Sequence, residues 1–200
     1  MCCKKKCLLF MMIAMCSMAV GCSEQRISID IANKATIMRN HSCGFFYRHS
    51  DEYAEEIGKQ LFNVISMKNG KELQDCFSDE VKNNNESVVS ADDIFDLIGD
   101  DVTYEEYQAG VSAEDSYGKS GSIEAFFYIV TNDEKYTVKY KYNFSTEDES
   151  KVGLYSLGIS PERERYEKAF LDCNIPGMYI CTNENYQEIN ELSEKYKSED

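Results

Sequence analysis

Apolar positions follow four successive spacings along the chain. From Cys7 to Val20 they are continuous, a run of about 14 residues where a helix needs roughly 20 to span a bilayer. From Ser23 to Ser50 there is no helical period, and only Ile27, Ile29 and Ile31 alternate as a short strand would. From Asp51 to Met67 the residues Tyr53, Ala54, Ile57, Leu61, Val64 and Ile65 recur at intervals of three and four, which predicts a helix with one buried stripe. Asn69 followed by Glu72 reads as a capping-box variant opening a second helix, with Leu73, Cys76 and Phe77 on one face. Ser90 with Asp93 opens a third, which carries Ile94, Phe95, Leu97 and Ile98.

After Asp101 the period becomes two. Tyr104, Glu106 and Gln108 fall on one side of a strand, and Thr103, Glu105, Tyr107 and Ala109 on the other. The alternation is stronger over Ser122–Thr131 and Lys135–Ser145, where Tyr136, Val138, Tyr140, Tyr142 and Phe144 oppose Thr137, Lys139, Lys141 and Asn143. Such a pattern predicts a sheet with one wet face. A hairpin turning at Asn132-Asp133 sets Ile129 opposite Tyr136, Phe127 opposite Val138, Ala125 opposite Tyr140 and Ile123 opposite Tyr142. A connection of even length keeps both apolar faces together, and an odd one without a bulge separates them. An acidic loop, Thr146–Ser150, leads to a further strand, Val152–Ser160, in which Gly158 stands where a larger residue is ordinary. Helices first and an antiparallel sheet afterwards define an α+β domain, which we place at residues 51–181.

The apolar run at the start has a specific use. Lys4, Lys5 and Lys6 precede it and Gly21-Cys22 follow it, as in a signal peptide. Met18-Ala19-Val20-Gly21-Cys22 resembles the lipobox of bacterial lipoproteins, with Ala19 where leucine is commonest. The resemblance implies cleavage of residues 1–21 and lipidation of Cys22. Cys16 is a poorer acceptor, because bulky Met15 precedes it. Two acyl chains, at about 0.8 kcal/mol per buried methylene, suffice for stable anchoring. Residues 22–50 then form a lipidated tether on the extracytoplasmic face of a bacterial cell membrane.

Loss of residues 1–21 removes three lysines and no acids, so 21 basic and 36 acidic side chains become 18 and 36, a net charge of −18. That surface repels nucleic acid and anionic lipid heads, keeps an exported domain soluble, and leaves cation or cationic-peptide binding open. Four cysteines, Cys43, Cys76, Cys173 and Cys181, remain beyond Cys22. Three disulfide connectivities are open to them; Cys76 on a buried helix face favours free, packed thiols. The two histidines, His41 and His49, both lie in the tether, so no zinc site is expected.

Two closing segments, Val152-Gly153-Leu154-Tyr155-Ser156-Leu157 and Ile175-Pro176-Gly177-Met178-Tyr179-Ile180, resemble those of a family of clostridial lipoproteins built on a domain of unknown function. The resemblance spans roughly Asp51–Ile180. It implies a cone-shaped fold, cystatin-like or like nuclear transport factor two and ketosteroid isomerase, with helices on a curved antiparallel sheet and a pocket between. Residues 182–200 continue as an acidic, largely flexible tail, in which Tyr186, Ile189, Leu192 and Tyr196 make one weak helical stripe.

Candidate chemistry is sparse. Fourteen tyrosines and no tryptophan put broad, hydroxyl-tipped rings into the strands. Tyr104, Phe127, Tyr136, Tyr140, Tyr142 and Tyr155 are the candidate pocket residues, against the alternative that they pack a core. Enzymes of the cone fold pair a carboxylate with a tyrosine or protonated acid, but Glu105, Glu106 and Glu124 alternate as a solvated strand face does, and no spacing marks any as catalytic. There is no phosphate-cradling glycine loop, GxSxG elbow or HExxH helix, and Thr146–Ser150 lacks the ligand spacing of a calcium hand. We therefore expect no cofactor and no catalytic residue. The expected function is a membrane-anchored extracytoplasmic module that binds a small ligand or an envelope protein. A small hydrolase, isomerase or lyase is one alternative, and a structural or immunity-like envelope protein the other.

Overall fold

The computed structural model describes residues 50–84, 87–105, 112–116, 120–145, 147–162 and 174–198. Cys22, the tether with Cys43 and both histidines, the stretch 106–111 with Glu106, and Cys173 lie outside these.

The 3.6-residue stripe produces helix α1 (Ser50–Ser66), whose Ala54, Ile57, Leu61, Val64 and Ile65 are all buried. Helix α2 (Gly70–Asp75) begins at Asn69, whose side-chain oxygen accepts from the Glu72 amide at 3.2 Å. The Glu72 carboxylate accepts from the Asn69 side-chain amide at 2.8 Å, so the return bond of an ordinary capping box goes to a side chain instead of the backbone. A short helix that apolar spacing did not predict, α3 (Asp79–Asn84), follows a Ser78 hydroxyl that accepts from Val81 N–H at 3.4 Å, with Asp79 and Glu80 in its first turn. Helix α4 (Ala91–Ile98) has the complete capping box: Asp93 N–H donates to Ser90 Oγ at 3.2 Å, and Ser90 N–H to the Asp93 carboxylate at 2.8 Å. Among the described residues four helices therefore precede the sheet, not three.

The sheet contains β1 (Thr103–Glu105), β2 (Ser112–Ser116), β3 (Ser120–Val130), β4 (Lys135–Ser145), β5 (Gly153–Pro161) and β6 (Gly177–Ile180). Strands β1 and β2 share one edge position on β3, so the open sheet is five positions wide. The β3–β4 register places Ile129, Phe127, Ala125 and Ile123 opposite Tyr136, Val138, Tyr140 and Tyr142, as the alternation requires. Thr131 closes the turn: its amide donates to the Glu134 carbonyl at 2.9 Å, and its hydroxyl oxygen accepts from the amides of Asp133 and Glu134 at 3.3 and 3.0 Å.

Three features depart from the simple α+β expectation. The last pair, β5–β6, is parallel, which an antiparallel meander does not contain. The second face of the sheet is not uniformly wet: Thr137, Lys139, Ser156 and Ser160 on it are buried, and the hydroxyls of Thr137 and Ser156 have no hydrogen-bond partner among the described residues. Third, the acidic C-terminal segment contains helix α5 (Tyr186–Lys197). Too weak a helix alone, its stripe gains area by packing: Ile189 is buried with Ile175, Tyr179 and Cys181, and Tyr186, Leu192 and Tyr196 lie against them. Met178 belongs to the main core and Tyr179 to this smaller one, so the two lie on opposite faces of β6.

The main core fills the inner face, where Leu61, Val64, Leu73, Ile94 and Phe95 of the helices meet Ile123, Phe127, Val138, Tyr140, Leu157 and Ile159 of the sheet. Between Lys141 and Tyr142 the β4–β5 register shifts by one, pairing Ser156 with Lys141 but Leu154 with Tyr142. Tyr155 is the extra residue of this bulge. The shift lets Leu154 enter the core although it is an odd number of positions from Leu157.

Candidate functional site

Five of the six aromatic residues expected around a pocket lie on the inner face, but they fill it. Phe127, Tyr136, Tyr140 and Tyr142 are buried in the main core, and Tyr104 is half-buried at its margin. Ring centroids run from Phe62 to Tyr104 at 5.5 Å, to Phe127 at 5.4 Å and to Tyr140 at 6.4 Å. The hydroxyls brace the helices: Tyr136 donates to the Leu97 carbonyl at 2.9 Å, and Tyr140 to the Ala54 carbonyl. Burial pushes the Tyr142 phenol up, and the neighbouring Cys76 thiol adds to the effect. Tyr155 separates from the others because of the bulge; its ring faces the Lys141 ammonium at 5.5 Å and its hydroxyl donates to the Asn174 carbonyl at 3.2 Å. Two of the three carboxylates weighed as bases are engaged elsewhere, Glu105 with Lys135 at 2.8 Å and Glu124 with Lys141 at 3.6 Å, and Glu106 lies outside the described residues.

An open cleft of about 530 Å³ lies instead where α2, α3 and the start of α4 meet β6. Each wall has a local cause. The chain leaving α2 docks on β5 through a bond from Ser78 N–H to the Leu154 carbonyl at 3.0 Å and one from Leu154 N–H to the Cys76 carbonyl at 2.9 Å, which fixes Phe77 as part of the floor. Capping of α3 by Ser78 places Val81 beside it. The segment 87–89 is clamped to the outer edge of β6: Val88 and Val89 amides donate to the Met178 carbonyl at 2.9 and 3.2 Å, and Met178 N–H donates to Ser87 Oγ at 3.2 Å. Gly177, at φ +80°, permits that approach, since a Cβ there would stand 2.6 Å from Ser87 Oγ.

The floor of the cleft, Phe77, Val81 and Met178, is apolar and buried, and Val88 is 42% exposed at the lip. The rim carries Gln74, Asp75, Lys82, Ser87, Ser90 and Asp93. Lys82 is paired with Asp79 at 2.8 Å. Bonds from the Ser90 hydroxyl and amide hold the Asp93 carboxyl below the usual range, so it is ionised at neutral pH. Cys76, next to the floor, is pushed up to about 12 by burial, with Glu72 and Asp75 adding to it, and is a protonated thiol of little nucleophilicity. The combination of apolar floor and polar rim suits noncovalent binding of a small amphipathic molecule. None of the cleft residues is among the six expected from the sequence. The signal available there was indirect, two capping motifs bracketing a Val88-Val89 pair that no helix or strand pattern claimed.

Fold and cleft define a mixed α+β protein in which α1–α4 cover one face of an open sheet and α5 packs in a separate, smaller core. The chain belongs to the family described as a domain of unknown function, DUF5104, whose model matches residues 60–166. Most of the cleft and all six aromatic residues fall inside that span; Met178 lies beyond it. No curated protein and no solved structure matches the chain significantly. Among the described residues no helix is long and apolar enough to cross a membrane.

Proposed function

We propose that the protein is a lipid-anchored extracytoplasmic binding module which takes up a small amphipathic ligand in the cleft between α2, α3, α4 and β6. The observation that carries the binding part is the union of a buried apolar floor at Phe77, Val81 and Met178 with a polar rim in a space of about 530 Å³, a size ordinary for small-molecule sites. The location rests on Lys4–Lys6, the Cys7–Val20 run and Gly21-Cys22. The finer fold reading is a cone like that of nuclear transport factor two, supported by helices α1–α4 on one face of a bulged, largely antiparallel sheet. In this chain the inner face is packed and the ligand binds at the helix side of the sheet edge.

Native mass spectrometry of the Ser23–Asp200 form purified from its own host tests the binding reading. A retained mass that is lost on mutating Val81 to Asp supports it, and a clean apo mass together with no response of cleft residues to small amphiphiles overturns it. Fractionation tests the anchor: the wild-type chain is expected in the membrane fraction and labelled by a radioactive fatty acid, and Cys22→Ala in neither. A labelled Cys22→Ala chain would refute lipidation at that residue.

A further inference from the structure

We infer that the cleft selects a ligand carrying a protonated amine beside an apolar chain. This rests on the binding reading above and names the chemistry of its ligand. The floor supplies the apolar half of the recognition. Phe77, Val81 and Met178 are each less than 5% exposed and face one space, and Val88 offers one of two large hydrophobic side chains exposed among the described residues. A ligand covering Val88 and the floor removes apolar surface from water with little rearrangement, because the 87–89 segment is already clamped to β6 by three hydrogen bonds.

The rim supplies the charge. Among the described residues Asp75 and Asp93 line the cleft with one lysine, Lys82, whose ammonium is 2.8 Å from the Asp79 carboxylate. The local balance facing a ligand is therefore negative. Ser90 donates to the Asp93 carboxylate from both backbone and hydroxyl, which favours its charged form. Charge across the whole molecule, −15 for the full sequence, acts in the same direction and raises the local concentration of cations. An anionic amphiphile such as a fatty acid meets repulsion at the rim, whereas an amine-bearing one meets two carboxylates and, in Gln74, Ser87 and Ser90, further hydrogen-bonding groups.

Three probes of equal chain length isolate the charge: n-octylammonium, n-octanol and octanoate, titrated at neutral pH into the chain from residue 22 onward bearing Cys22→Ser, with amide and methyl NMR shifts as the readout. The expected result is saturable shifts at Val81, Val88 and Met178 with octylammonium, at least about fivefold tighter than with octanoate, and a difference that shrinks between about 20 and 500 mM salt as exposed charges are screened. Asp75→Asn with Asp93→Asn is expected to weaken octylammonium about fivefold. Asparagine at 93 retains an oxygen to accept from Ser90, and thermal melting verifies that the double variant folds. Glu191→Gln, an exposed acid on α5, leaves the affinity for the amine unchanged. Octanoate binding as tightly as octylammonium, or an unaltered amine affinity in a folded double variant, overturns the amine assignment while leaving the cleft as a binding site. No response of the cleft to any of the three probes overturns both.

Discussion

The ring of Tyr179 lies across Gly158, its register partner on β5, so closely that a Cβ on residue 158 would sit 2.3 Å from Tyr179 Cζ and 2.4 Å from its hydroxyl oxygen. The absence of a side chain at 158 is what lets the tyrosine lie across the sheet face opposite the main core and join Ile175, Cys181 and Ile189 in the smaller one. Gly158→Val is therefore expected to cost roughly 1–3 kcal/mol, the usual range for overpacking, measured by urea denaturation. Adding Tyr179→Leu should recover part of the loss. A neutral Gly158→Val would mean that the ring lies elsewhere.

Two tyrosines of the inner face brace helices, but with different consequences. Leu97 is in the last turn of α4, where carbonyls lack an intrahelical partner, and Tyr136 supplies one. The Ala54 carbonyl bonded by Tyr140 is in α1, where a helical bond already serves it. Tyr136→Phe should cost about 1–2 kcal/mol and Tyr140→Phe about 0.5–1 kcal/mol by chemical denaturation. The reverse order would contradict the bracing roles.

Cys76 and Cys181 are free thiols, and burial raises both. Native protein should modify at Cys76 with iodoacetamide far more slowly than unfolded protein, as peptide mass spectrometry would show. The linkage has a definite sign. An unfolded thiol ionises near 9 while native Cys76 holds its proton to about 12, so the native state binds more protons between these values. Its contribution to stability is present below pH 9 and is lost progressively as pH rises above it. Cys76→Ser should flatten that decline, and an unchanged slope would refute it.

Helix α5 depends on Ile189. Ile189→Ala should destabilise by about 2–4 kcal/mol and remove hydrogen-exchange protection from Tyr186–Lys197. A change under about 0.5 kcal/mol would return this segment to the solvated tail that its composition alone predicts.

Local patterns in the sequence determined the α1 stripe, the caps at Asn69 and Ser90, and the β3–β4 register, because each depends on residues within one helix turn or across one hairpin. Periodicity also marked Tyr136, Tyr140 and Tyr142 as inward-facing, but could not say whether the space before them was open or filled by α1. That depends on how far the helix sits from the sheet. Only the tertiary structure decided that the Tyr155 bulge turns one candidate ring away from the rest, that β6 runs parallel to β5, and that an acidic tail gains enough contact area to become α5. The cleft belongs to the same class. Phe77, Val81, Val88, Asp93 and Met178 come from five separate segments, and no spacing along a chain encodes a surface made by long-range docking of a loop on a sheet edge.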